Sequence, residues 1–266
     1  MKKTRVVFMG SRPLGYYALN LLQSISHVEV VATVVKEPPP NAWWKNDPFH
    51  IATNVLSNHA ELLNVDFDVG VSINYWKIIE AEIIKIPRLG FVNLHHSYNL
   101  CLRGRNMTSH AILTARNLNR WYHGTSLHYT DDGLDTGPII ASKACELKED
   151  DTAWTLFNKV EALGEDLLNE WFPRLTQAKV PAAYPEPNHP LSLRLDESEK
   201  YIPDIYLDPI YTYDFVRAFD FNRYYALAFT FIDGIKVELT TDRQFGDNLI
   251  FKLDGNRAIY AAREIK

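Results

Sequence analysis

The chain has 266 residues, 46% hydrophobic and 23% charged, which is enough for one full domain and a smaller one. Its formal net charge of -5 argues against a surface built to coat phosphate, so nucleic acid is not an expected partner, although a local basic pocket stays open. No stretch approaches the ~18 apolar residues of a membrane span, and none at the start is long enough for a signal peptide core. Cys101 and Cys145 are the only cysteines, so a disulfide framework is not expected and a reducing, cytoplasmic compartment is.

Residues 5–9 read as a buried strand ending at Gly10, followed by a helix through residues 16–22 and a second strand over 28–35. Apolar strands alternating with helices predict βαβ units and a mostly parallel, Rossmann-like α/β sheet with helices on both faces. Pro38, Pro39 and Pro40 bar regular pairing in the next loop, where Trp43 and Trp44 suit a lid or a core equally. Strands are expected at 68–74 and 90–95, with helical spacing over 77–84 between them. A helix over 109–118 and strands at 126–130 and 138–143 follow. Asp151 and Thr152 are placed to cap an amphipathic helix from residue 153 to about residue 172. Prolines then mark an extended linker. Beyond it come a short helix at 213–219, a hairpin turning at Asp233-Gly234 and a second hairpin at 248–262. The expected organisation is a first domain at 1–176, a linker at 177–198 and a small β-rich domain at 199–266.

Residues with chemical potential gather between Asn93 and Pro138. Positions i and i+2 of a strand share a face, so Asn93 and His95 can converge on one reacting atom while His96 points away. A polar pair closing a strand would look the same. Asp131, Asp132 and Asp135 share a turn with Gly133 and Gly137, where glycine permits positive φ and close approach to a ligand. A solvated acidic loop is the alternative, and Leu134 and Pro138 interrupt any calcium-loop pattern. An amide, an imidazole and a carboxylate can together accept a proton, hold a developing oxyanion and fix a histidine tautomer. His95, His96, His110, His123 and His128 are five of the nine histidines. No metal site is expected of them, because His123 and His128 face oppositely along a strand and Cys101 stands alone. The turn from Gly10 to Gly15 is not Gly-x-Gly-x-x-Gly, and Pro13 removes an amide where a pyrophosphate would be gripped. Ser11, Arg12 and the helix start could still meet an anion.

The motifs Asn93-x-His95-x-Ser97, Arg103-Gly104, His123-Gly124-Thr125-Ser126 and Asp132-Gly133-Leu134-Asp135-Thr136-Gly137 resemble, in order and separation, the N10-formyltetrahydrofolate-dependent formyltransferases. The resemblance covers roughly residues 1–175. Residues 98–102 depart from the Leu-Leu-Pro form of many members and look more like bacterial N-formyltransferases acting on dTDP-linked amino-dideoxy sugars. The segment 215–220 also resembles the start of their C-terminal module.

The resemblance implies that residues 1–176 are a catalytic domain using N10-formyltetrahydrofolate as co-substrate and no metal. It implies a nucleotide-linked 3- or 4-amino sugar as partner and a place in O-antigen and lipopolysaccharide biosynthesis; a homodimer is expected separately, from the apolar C-terminal hairpins. Asn93 would stabilise the oxyanion, His95 would act in proton transfer, and Asp135 would orient His95 directly or through water. A nearby carboxylate should raise the histidine above its ordinary value of about 6.5. By the same analogy the pterin lies against Trp76, Ile78, Ile79, Thr130, Asp131 and Asp132. Arg12, Tyr75, Lys77, Arg103 and Gly104 would meet the sugar nucleotide, with Arg12 and Lys77 at the diphosphate because both follow the ends of parallel strands. Tyr224, Tyr225, Phe229, Phe231 and Phe251 suit a dimer surface or an internal core equally. The alternatives are a methionyl-tRNA formyltransferase, a formyl-folate hydrolase and a non-catalytic nucleotide-sugar or folate binding protein.

Overall fold

Strand β1 (Thr4–Gly10) is apolar on both sides, and Val6, Val7, Phe8 and Met9 are all fully buried. Successive side chains of a strand point to opposite faces. Val6 and Phe8 accordingly pack with Leu14, Leu19 and Leu168, whereas Val7 and Met9 pack with Val34, Leu62 and Ile83. A strand with two apolar faces belongs in the middle of a sheet, and β1 sits there. The computed structural model describes residues 2–35, 52–185, 191–192, 195–222 and 224–263. Trp43 and Trp44 lie outside the described residues.

The six-stranded sheet has the order β2-β1-β3-β4-β6-β7, with β2 (Val28–Val35), β3 (Val69–Ile73), β4 (Phe91–His95), β6 (Tyr122–Tyr129) and β7 (Ile139–Glu146). The pairs β1–β2, β1–β3 and β3–β4 are parallel, and β6 runs antiparallel to β4. This is the mostly parallel α/β sheet expected. The chain leaves β1 for β2 on one side and returns to β3 on the other. A topological switch point therefore lies beyond the carboxyl ends of β1 and β3, where open α/β sheets bind ligands.

Helix α1 (Arg12–Ser24) starts four residues earlier than its apolar spacing predicts, with Pro13 in the first turn, where its missing N–H breaks no helical bond. With Leu167, Leu168, Phe172 and Leu175 of α4 (Ala153–Leu175), α1 covers one face of the sheet. The other face differs from expectation. Among the described residues it carries the 3-10 turn His59–Asn64 and the four-residue α2 (Ala81–Ile84). The helix expected over 77–84 is cut short at Glu80, which is extended at φ -65° and ψ 143° with its carboxylate 2.5 Å from His59 Nε2.

The chain forms two compact units: 1–103, 124–144 and 160–190 in the first, and 104–123, 145–159 and 191–266 in the second. Two short strands, β5 (Arg103–Gly104) and β8 (Leu191–Ser192), complete the parts outside the two main sheets. In the second unit Thr152 caps α4, its Oγ1 accepting from the Thr155 N–H at 3.2 Å. There α3 (Met107–Ala115) packs on α5 (Pro209–Phe219), whose first turn is capped by Asp208 accepting from the Tyr211 N–H at 2.9 Å. An antiparallel sheet of order β11-β12-β10-β9 follows, built from β9 (Ala228–Ile232), β10 (Ile235–Thr240), β11 (Gly246–Lys252) and β12 (Ala258–Ala262). Asp233 and Gly234 join β9 to β10 with φ of 51° and 78°, the paired positive values a tight hairpin demands. Phe229 is buried beside this core, whereas Phe231, Tyr224 and Tyr225 are exposed.

Candidate active site

Asn93 and His95 alternate along β4 with the buried Val92 and Leu94. The antiparallel register sets Asn93 opposite His128 and His95 opposite Ser126. Beyond His95 the chain bends sharply. The His95 carbonyl accepts from the Ser97 N–H at 2.7 Å and the Thr125 hydroxyl at 3.0 Å. The Ser97 carbonyl accepts from Ser126 Oγ at 2.6 Å, and Ser97 Oγ accepts from the Leu102 N–H at 2.8 Å. Asn99 and Leu100 take left-handed φ of 49° and 52° to close the turn. The result places the Leu102 carbonyl 3.0 Å from His95 Nε2. A carbonyl can only accept, so Nε2 carries a proton and Nδ1 is the basic nitrogen.

Asp135 Oδ2 lies 3.6 Å from that Nδ1. This is beyond a direct hydrogen bond and close enough for a charge interaction. Asp135 is itself left-handed, at φ 51°. The glycines of its loop act differently from expectation, since the positive φ belongs to Asp135. Gly137 is needed for space: a Cβ there would lie 1.8 Å from the Tyr129 carbonyl oxygen. Asp131 braces the loop, Oδ1 accepting from Thr136 Oγ1 at 2.6 Å and the Gly133 N–H at 3.1 Å.

Burial, the larger influence, pulls His95 below the ordinary histidine range, while Asp135 and the Leu102 carbonyl oppose it. The expectation that the carboxylate would raise His95 is corrected: its effect is present but loses to desolvation. His96 turns away as expected, its Nε2 3.1 Å from Glu161 Oε1.

Sequence reasoning missed His128. Its Nε2 is 3.1 Å from Asn93 Nδ2 and its Nδ1 is 2.9 Å from the Tyr129 carbonyl. Burial lowers it to about 4, so it is neutral at pH 7. Only the strand register could have revealed this pairing, because 35 residues separate Asn93 from His128.

Arg12, Tyr75 and Lys77 follow β1 and β3, whose ends pair Gly10 with Ile73. Arg12 is left-handed at φ 65°, a conformation that disfavours a long side chain. Ser11 is corrected as an anion ligand: it is buried, and its hydroxyl donates to the Asn74 carbonyl at 2.5 Å. The Tyr75 hydroxyl donates to His59 Nδ1 at 2.5 Å, and burial, then Glu80, pushes the phenol up to about 12. Trp76 leans on Tyr75 with ring centroids 4.5 Å apart, while Lys77 and Ile78 are exposed. Thr130, Asp131 and Asp132 line a cavity of about 590 Å³ together with Phe91 and Lys85, and Trp76, Ile78 and Ile79 do not line it. Arg103 is half-buried beyond the turn, and Gly104, at φ 98°, belongs to the second unit. Asn74 Nδ2 and Thr130 Oγ1 are buried with no hydrogen-bond partner among the described residues. Among those residues no group of three or more His, Cys, Asp or Glu could hold a metal ion.

Residues 5–171 match the family model described as formyl transferase. The chain belongs to the formyl transferase family. A methionyl-tRNA formyltransferase of Wolbachia pipientis is 32% identical to it over 180 residues, covering 62% of this chain and 58% of the relative. The chain therefore spans a little over half the length of such curated relatives. Among solved structures, WlaRD, a sugar 3N-formyl transferase in the presence of dTDP and 5-N-formyl-THF, aligns with a TM-score of 0.74 at 18% identity over 98% of each chain. The N-formyltransferase from Helicobacter canadensis, in complex with folinic acid and dTDP-3-aminofucose, gives 0.71 at 19% identity over 98% of this chain and 99% of that one. At those identities the likeness is one of fold, and it runs through both units of the chain.

Proposed function

We propose that this chain transfers the formyl group of N10-formyltetrahydrofolate to the amine of a nucleotide-linked, dTDP-type 3- or 4-amino-dideoxy sugar, in the assembly of a surface polysaccharide such as O-antigen. The observation that carries the proposal is the meeting of Asn93, His95 and Asp135 at one end of β4, with His95 Nδ1 bare and 3.6 Å from a carboxylate. The folate supplies an activated formyl carbon on N10. His95 Nδ1 takes the proton of the attacking amine as the new carbon–nitrogen bond forms. Asp135 stabilises the imidazolium so produced. Asn93 donates an amide N–H to the formyl oxygen as that oxygen gains charge. The proton held on His95 then goes to the folate nitrogen as the old carbon–nitrogen bond breaks.

The residues present fit a pterin. Asn74 Nδ2 and Thr130 Oγ1 are buried polar atoms awaiting partners among the described residues, and Ile78 offers an 81% exposed apolar surface. Arg12, Tyr75 and Lys77 at the switch point are assigned to the sugar nucleotide, with Arg103 beyond the turn. The described residues hold no helix long and apolar enough to cross a membrane. We also assign the exposed Phe231, Tyr224 and Tyr225 to a homodimer contact.

The curated relatives favour a second reading, in which the acceptor is methionyl-tRNA. The net charge of -5 and the full-length match to sugar-modifying enzymes weigh toward the sugar. Incubation with N10-formyltetrahydrofolate and a panel of nucleotide amino sugars, with methionyl-tRNA as a separate arm, decides. Mass spectrometry should find one formyl group gained by a sugar nucleotide. Formylation of the tRNA alone would establish the second reading, and release of free formate in every arm would remove both.

A further inference from the structure

Asn93 presents a difficulty that the bare trio does not solve. The two ends of a primary amide have nearly the same shape, so packing cannot decide which one faces a ligand. If Nδ2 faces the formyl oxygen it donates; if Oδ1 does, two acceptors meet and the developing charge is repelled. Some neighbour must choose.

The choice runs outward from the backbone. The Tyr129 carbonyl, 2.9 Å from His128 Nδ1, can only accept, so Nδ1 carries the proton. A neutral His128 then presents a lone pair at Nε2, and the amide group 3.1 Å away must be the NH2 end of Asn93. One N–H of that group is spent on His128, and the other remains for the reacting oxygen. His128 is 2% exposed, so bulk solvent does not reach its ring. Asp135, His95 and Asp131 act on this ring through their charges. Asp135 and Asp131 favour the charged form and His95 opposes it, and burial outweighs all three and keeps the ring neutral.

We infer that His128 is a positioning residue, locked in its Nδ1–H tautomer by the Tyr129 carbonyl, which turns the donor end of the Asn93 amide toward the reacting carbon. The inference rests on the formyl-transfer reading for its consequence, while its geometry stands apart from activity. An imidazole at this position differs from a structural filler in one respect: only an acceptor at Nε2 can hold the amide.

The test has two independent readouts. Nitrogen-15 NMR of the histidine rings in the wild-type chain should show His128 neutral and protonated on Nδ1 at pH 7. An Nε2–H tautomer or an imidazolium there overturns the inference, whatever the enzyme does. Kinetics use His128→Leu, which removes the acceptor, and His128→Gln, whose amide oxygen replaces it. His128→Leu should lower kcat by about 10-fold to 100-fold with KM for both substrates within about threefold of wild type, and His128→Gln should recover most of that loss. A His128→Leu enzyme within twofold of wild type overturns the inference, as does an equal loss in both variants. Should the leucine variant fail to fold, the NMR tautomer decides. Absence of formyl transfer by the wild type would strike the function and leave the tautomer result standing.

Discussion

His95 has an oxygen facing each ring nitrogen: a backbone carbonyl that fixes the proton on Nε2 and a carboxylate that waits near Nδ1. Replacing Asn93 by Ala should lower kcat about 100-fold to 1,000-fold, the usual loss for one oxyanion donor, and His95→Ala or Asp135→Ala should cost comparably. Circular dichroism should find all three folded; turnover near wild type would refute the assignment. The pH dependence has a definite sign. The base is neutral His95, and burial holds its titration below the ordinary histidine value, so kcat/KM should be flat near pH 7 and fall only below that range. Asp135→Asn removes an influence that holds His95 up, so the acid limb should move to lower pH. A limb that moves upward would contradict this account. His128 carries a stability consequence. It titrates near 4 when folded and near 6.5 when unfolded, so the unfolded chain binds more protons between those values. Stability from this group is fully present above about pH 6.5 and is lost as pH falls toward 4, by about 3 kcal/mol in all. Urea midpoints at pH 7 and pH 5 should show the loss, and His128→Leu should reduce it without abolishing it, because burial lowers His95 in the same direction.

Elements are held together here by a few buried polar anchors as well as by apolar packing. On α5, Arg217 is fully buried. It donates to Asp214 Oδ1 at 2.9 Å and to the carbonyls of Lys148 and Asp151 at 3.2 Å and 2.8 Å. Asp214 is bound in turn by Arg116 of the segment after α3, at 2.8 Å. Arg217→Ala leaves two carbonyls without their donor and weakens a buried pair, and should destabilise the chain by about 3–5 kcal/mol in chemical denaturation. Arg116 keeps Asp214 partnered, so the loss should stay at the low end; a change under 1 kcal/mol would deny Arg217 the role. The turn from Ser97 to Leu102 works on the same principle. Its hydrogen bonds offset two left-handed residues and deliver one carbonyl to His95.

At the scale of the whole molecule, curated relatives share sequence over 62% of the chain, whereas solved structures share its fold over 98%. The exposed aromatics of the second unit bear on assembly: light scattering should give twice the 30.6 kDa chain mass, and a value at the chain mass would exclude the proposed dimer.

What local sequence could express was legible from it. The apolar run of β1, the alternation along β4 that puts Asn93 and His95 on one face, and the Asp233-Gly234 hairpin all depend on neighbours a few residues away. Longer-range facts were decided by tertiary structure. The helix expected over 77–84 lost its first turn where Glu80 bonds to His59, 21 residues earlier in the chain. Ser11 turned inward to Asn74, and His128 reached Asn93 through strand register. Burial, which no local pattern measures, reversed the expected direction for His95. Periodicity states which way a side chain points; only the packed sheet decides what it meets there and how much water remains.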